Sequence, residues 1–119
     1  MSRIIYHKRA TGREPTKEWI NEQDTTVQAT VFAKLDSLKD NWNTMLKNDT
    51  LKQINGKYRE HGFYELRNLS YKWRLFLYHD LTKESFVLLG GYRKTKPSKK
   101  EQEEEIRKAH EMLLEYRGS

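Results

Sequence analysis

From Phe63 onward the apolar residues of this chain recur at every second position in two closely spaced runs, FYELRNL (63–69) and WRLFLYHD (73–80), and a third run, SFVLLGGY (85–92), follows. A period of two is that of a β-strand, whose side chains alternate between two faces. The gaps, Ser70 to Lys72 and Leu81 to Glu84, suit hairpin turns and fall far short of the dozen or more residues a parallel crossover needs. An antiparallel meander is therefore expected. In its middle run Trp73, Leu75, Leu77 and His79 point one way while Arg74, Phe76 and Tyr78 point the other, so one face is core-like and the other mixes charge with aromatic rings. The third run has a continuous apolar stretch, which predicts a strand buried on both faces at the centre of the sheet.

Helical signals lie on either side. RIIYH (3–7) reads as a first short strand, and Pro15 favours the start of a short helix over 15–22 with Trp19 and Ile20 as its buried residues. Asp24 can cap a second helix whose stripe is Val27, Val31, Leu35, Leu38 and Trp42, fading near Asn41 to Asn43. Asn48 to Gly62, polar and containing Asn55, Gly56 and Gly62, reads as a loop. After Pro97, Ser98-Lys99-Lys100-Glu101 matches a capping box and opens a long helix with Ile106, Ala109, Met112, Leu113 and Tyr116 on its apolar side and Gly118 near its end. The predicted order is β-α-α-β-β-β-α, an α+β fold with helices packed on a mostly antiparallel sheet, and 119 residues make one domain spanning 1–119.

Charged residues are nearly as frequent as hydrophobic ones, 34% against 35%, but three tryptophans, seven tyrosines and four phenylalanines supply enough bulk for a core. The net charge of +6 is unevenly placed. Arg3, Lys8, Arg9 and Arg13 precede the first acid, and Arg93, Lys94, Lys96, Lys99 and Lys100 crowd together without one. Both clusters suit a polyanion, and both equally suit a solvated face. No apolar run approaches the roughly 20 residues of a membrane span, and MSRIIYHKRATGR lacks the apolar stretch of a signal peptide, so no membrane association and a cytoplasmic location are expected. The chain has no cysteine, and its histidines, at 7, 61, 79 and 110, lack metal-site spacing. Neither a metal nor a cofactor is expected.

Arg67, Arg74 and Arg93 stand inside or at the end of strands, where an arginine must be solvated or paired. Adjacent strands can bring Arg67 and Arg74 onto one surface, with Arg93 delivered by the third. Two readings stay open: each arginine pairs with a structural acid such as Glu65 or Asp80, or together they grip a phosphate and stabilise charge during phosphoryl transfer. Core packing accounts for most of the aromatic residues. Tyr92, between Gly90-Gly91 and Arg93-Lys94, is the exception, because the strand emerges there beside the basic segment.

GFYELRNLSYKWRLFLYHD followed by FVLLGGYRKTKPSKKEQEEEIRKAHEML resembles the RelE superfamily of bacterial toxins, in its HigB-like, phage-derived branch. The resemblance runs from Trp19 onward and is most specific in ELR (65–67), the Arg74-x-Phe76-x-Tyr78 strand and the basic turn from Tyr92 to Lys100. It implies a RelE-like fold and a type II toxin-antitoxin system. The toxin would be a metal-independent endoribonuclease that cleaves mRNA on the ribosome and is neutralised by a helix-turn-helix, HigA-like antitoxin. It further implies phosphate stabilisation by Arg74 and Arg93, substrate positioning by Arg67, and proton transfer by Tyr92 or Lys94. Many HigB-like relatives have His-Gly-Phe where this chain has Gly90-Gly91-Tyr92, so no role of that histidine carries over. Charge alone makes Lys52, Lys57, Lys96, Lys99 and Lys100 candidates for RNA contacts. The alternatives are a ParE-type gyrase poison on the same fold and a non-catalytic phage-derived RNA-binding protein.

Overall fold

Two local signals open the N-terminal helices. Pro15 stands at the first helical position, where its missing N–H is no loss, and the Asp24 carboxylate accepts a hydrogen bond from the Val27 N–H at 2.9 Å. The computed structural model describes residues 2–94 and 98–118. Its elements are β1 (Arg3–Tyr6), α1 (Pro15–Glu22), α2 (Thr25–Lys47), β2 (Leu51–Gln53), a 3-10 turn (Gly56–Tyr58), β3 (Phe63–Asn68), β4 (Trp73–Asp80), β5 (Ser85–Arg93) and α3 (Lys99–Gly118). The Ser98 hydroxyl accepts from the Glu101 N–H at 3.2 Å, the capping contact expected there; Pro97 lies outside the described residues.

The strands form one mixed sheet in the order β1-β5-β4-β3-β2, with β1 parallel to β5 and every other pair antiparallel. The α+β expectation holds, with three corrections. The centre of the sheet is β4, because β1 adds on the outer side of β5 and β2 extends the other edge. Part of the expected loop after Asn48 is strand: Leu51, Lys52 and Gln53 pair with Leu66, Glu65 and Tyr64. Three residues are too few to show a period, so only their pairing with β3 makes them a strand. Finally, α2 does not stop near Asn41. It bends there (φ −126°, ψ 22°) and continues, burying Met45.

Helices cover both faces. On one, the stripe Val27, Val31, Leu35 and Leu38 of α2 and Ile20 of α1 pack on Leu51, Leu66, Trp73, Leu75, Leu77, Phe86 and Leu88. The Trp73 indole N–H donates to the Thr30 hydroxyl at 3.0 Å, so even the polar atom of this large ring is satisfied inside. Trp19 is only partly buried, but it crosses so near the sheet that a Cβ at Gly91 would lie 2.9 Å from its ring and 2.6 Å from Leu75. Glycine is required there by space. On the other face Ala109, Met112 and Leu113 of α3 pack on Ile54, Phe63, Phe76, Val87 and Leu89. The face that the alternation of β4 marks as mixed is thus half core and half site.

Candidate anion-binding cleft

Strand register builds the site. Arg67 of β3 lies opposite Arg74 of β4, which lies opposite Tyr92 of β5, and residues in register share a face. The next row on the same face is Lys52, Glu65 and Phe76. Where α3 begins it stands over these rows as a wall, enclosing an open cleft of about 510 Å³. Lys52, Arg67, Arg74, Lys94 and Lys99 line it against only two carboxylates, Glu65 and Glu103. Its charge is strongly positive, as an anion site requires.

A bulge decides which residues of β5 face this cleft. Leu75 pairs with Gly91 but Leu77 pairs with Leu88, so β5 carries one extra residue there, and Gly90 takes φ +116°. The Gly90 N–H, freed from the ladder, donates to the Thr16 hydroxyl of α1 at 2.8 Å. One inserted residue reverses the facing of everything beyond it. Val87 and Leu89 face α3, and after the bulge it is Tyr92 that does so. Arg93 turns to the opposite face beside Trp73, and its Nε donates to the Tyr71 carbonyl at 3.0 Å. Arg67 and Arg74 are brought together, and Arg93 is kept apart from them.

Each cleft arginine is oriented by a partner. Arg74 Nη1 donates to Glu65 Oε1 at 3.2 Å, and Gln102 of α3 donates to Glu65 Oε2, also at 3.2 Å. Only 13% of the Arg74 side chain and 7% of Glu65 are exposed, so this is a nearly buried pair that neither partner could leave without stranding a charge. Of the two readings of Arg74, pairing with Glu65 is realised, and the guanidinium still borders the cleft. Among the described residues Arg67 pairs with no acid. Its Nε and Nη2 grip the carbonyl of Asp49 at 3.1 and 2.7 Å, tying the α2–β2 connection to β3.

Two buried polar atoms near the cleft have no protein partner among the described residues: Nε of Arg74, which lines it, and the hydroxyl of Tyr92, which lies beside Arg74 in the sheet. Tyr92 is 7% exposed and stacks on Phe76 with ring centroids 5.8 Å apart. Burial first, and then the nearby Glu65 carboxylate, push its phenol up to about 12, so it keeps its proton at neutral pH. A buried donor without an acceptor costs stability and calls for an explanation in function.

The remaining sequence candidates divide. Lys57 and Lys100 border a second depression of about 420 Å³, which shares Asn55, Glu103 and Ile106 with the cleft. Lys96 lies outside the described residues. Two of the four N-terminal cations are paired with acids: Arg9 sits 3.3 Å from Glu115 and 3.6 Å from Glu111, and Arg13 sits 2.6 Å from Glu18. Sequence reasoning weighed Glu65 only as a structural partner and passed over Gln102. The signal for Glu65 was present, since ELR alternates and puts Glu65 and Arg67 on one face; nothing local marks Gln102. Among the described residues no cluster of histidines and carboxylates could hold a metal ion, and no helix is long and apolar enough to cross a membrane.

Fold and cleft together define a small α+β domain with an arginine- and lysine-lined cleft at one side of its sheet. The chain belongs to the phage-derived Gp49-like protein family, whose model matches residues 18–114. Among solved structures it is similar to the isolated E. coli RelE toxin, at 13% identity over 90% of this chain and 98% of that one, with a TM-score of 0.62. It is also similar to the intact E. coli RelBE toxin-antitoxin complex, at 11% identity over 81% of this chain and 100% of that one, with a TM-score of 0.58. At these identities the likeness establishes the RelE-like fold. A search of curated protein sequences gave no match.

Proposed function

We propose that this protein is the toxin of a type II toxin-antitoxin system, acting in the cytoplasm as a metal-independent endoribonuclease on mRNA in the ribosome. The observation that carries the reading is the pair Arg67 and Arg74 lining a cleft rimmed by Lys52, Lys94 and Lys99, with Tyr92 in register beside Arg74. RNA strand scission needs no resident cofactor. The ribose 2′-hydroxyl loses its proton to a base or to water as it attacks the adjacent phosphorus, the bond to the 5′-oxygen breaks, and a cyclic phosphate remains. The protein must bind the phosphate, balance the charge that builds on its oxygens, and return a proton to the leaving oxygen. Arg74, fixed by Glu65, and Arg67, fixed by Asp49, supply oriented charge. Tyr92 is the proton donor, because its phenol stays protonated and no protein acceptor holds its hydrogen. Lys94 adds charge at the wall, while Arg93, on the other face, supports the turn through Tyr71. The fold likeness to RelE in its complex with an antitoxin supports a protein antitoxin as partner, of the helix-turn-helix class that the HigB-like resemblance implies.

The test is mRNA cleavage in a translating extract. Wild type should cut mRNA, and Arg74→Gln, which keeps a donor for Glu65, should lower cleavage by roughly 10²–10³-fold while remaining folded. Cleavage at the wild-type rate by that variant would remove the central assignment. Intact mRNA together with inhibited DNA gyrase would replace the reading with the ParE-type one.

A further inference from the structure

The second depression, beside the cationic cleft, differs from it in chemistry. Its distinctive residue is Tyr58, in the 3-10 turn, which with Ile106 on α3 is partly buried against the core beneath α3. Lys57 and Lys100 stand at its border. It is continuous with the cleft through Asn55, Glu103 and Ile106. One space thus offers guanidinium groups and the next an aromatic ring flanked by cations.

The Tyr58 ring is held in place. Its centroid lies 5.2 Å from that of His110, which is itself fixed by Glu60 at 3.1 Å. Over the ring stands the Lys57 ammonium, 5.4 Å from the centroid. A cation over an aromatic face is a contact that a flat neutral ring can replace, leaving the lysine free to meet a phosphate. Single-stranded RNA alternates these two needs, a phosphodiester and a base with an unpaired face, at each nucleotide.

We propose that this depression is a nucleobase subsite, in which the base of a nucleotide neighbouring the phosphate held by Arg67 and Arg74 stacks on Tyr58. The assignment rests on the RNA-cleavage reading above. Ile106 gives that base an apolar edge contact, and Lys57 and Lys100 take the phosphates beside it. The subsite makes Tyr58 a determinant of binding, separate from the charge-stabilising groups of the cleft.

Ribosomes programmed with mRNA that is 2′-O-methylated at the cleavage position test this without turnover. 2-Aminopurine placed on either side of that position reports stacking through its fluorescence. Wild type should quench the probe at one of the two positions. Tyr58→Ala and Tyr58→Leu, the second keeping apolar bulk without a flat ring, should abolish the quench and weaken binding by about tenfold. Tyr58→Trp should restore both, whereas Arg74→Gln should weaken binding yet retain the quench at saturation. Wild type that binds, with a probe signal unchanged by Tyr58→Leu at both positions, overturns the subsite alone. Wild type that fails to bind the programmed ribosome overturns both the subsite and the reading on which it rests.

Discussion

The two faces of the sheet are built from the same strands and differ in what is left unfinished. Beneath α1 and α2 the apolar groups of the sheet, Leu51, Leu66, Trp73, Leu75, Leu77, Phe86 and Leu88, are buried, and the Trp73 nitrogen has its acceptor in Thr30. Beneath α3 the apolar packing of Phe63, Phe76, Val87 and Leu89 gives way, within one strand spacing, to Arg67, Arg74 and Glu65, with two buried polar atoms unpartnered among the described residues. The end of α3 is well tied: His7 meets Glu115 at 2.7 Å, the Tyr116 hydroxyl donates to Asp80 at 2.7 Å, and Arg117 meets Glu60 at 2.9 Å. Near its start a polar tie to the sheet is Gln102 to Glu65 at 3.2 Å. Stability and the proposed anion site are thereby divided between faces, and a division of that kind predicts substitutions that move one property without the other.

The largest effect on stability belongs to the closed face. Trp73→Ala should cost about 3–5 kcal/mol, read by urea unfolding, because it leaves a large cavity and removes the hydrogen bond to the Thr30 hydroxyl. Gly91→Ala should follow at about 1–3 kcal/mol, since its Cβ meets Leu75 at 2.6 Å; equal stability would mean that α1 can yield. Tyr116→Phe tests the tied end of α3 and should cost about 1 kcal/mol at neutral pH. Burial alone would raise the Asp80 carboxyl, but hydrogen bonds from Tyr116 and the Lys83 N–H outweigh it and hold the group below its ordinary value. A carboxyl depressed on folding adds stability above its unfolded value and loses it as pH falls through the folded one. The gap between wild type and Tyr116→Phe should therefore narrow below about pH 4.

Tyr92→Phe reverses the sign. Deleting an unpartnered buried hydroxyl should leave stability unchanged or raise it by up to about 1 kcal/mol. Loss of the proton donor should lower cleavage by roughly 10²-fold. Undiminished cleavage would pass proton delivery to Lys94. The smallest change in stability is expected for Lys52→Ala, within about 0.5 kcal/mol. Its salt dependence of RNA binding should become shallower by about one phosphate contact, and an unchanged slope would place Lys52 outside the RNA path.

Much of this was legible locally. The alternation in WRLFLYHD placed Arg74 and Phe76 on one face and Trp73 and Leu75 on the other, and the order of ELR and WRLF brought Arg67 opposite Arg74. Lys52 was named for its charge, without a strand to place it, because Leu51–Gln53 is too short to show a period. Arg93 was grouped with the other arginines because sequence spacing counts residues and cannot count a bulge. Gln102 was invisible, since a polar residue on a helix shows no partner until the helix has docked.

Alternation, turn length and helix capping act within a few residues, and they determined by themselves the meander, its two faces, the flanking helices and the candidate cations. Only the tertiary structure decided which cations meet. The extra residue at Gly90 exchanges Tyr92 for Arg93, β2 carries Lys52 to the open edge, and α3 sets Gln102, Glu103 and Lys99 against the sheet. Each of these depends on pairing or packing between segments far apart in the chain, and such contacts become defined only when the whole sheet has formed.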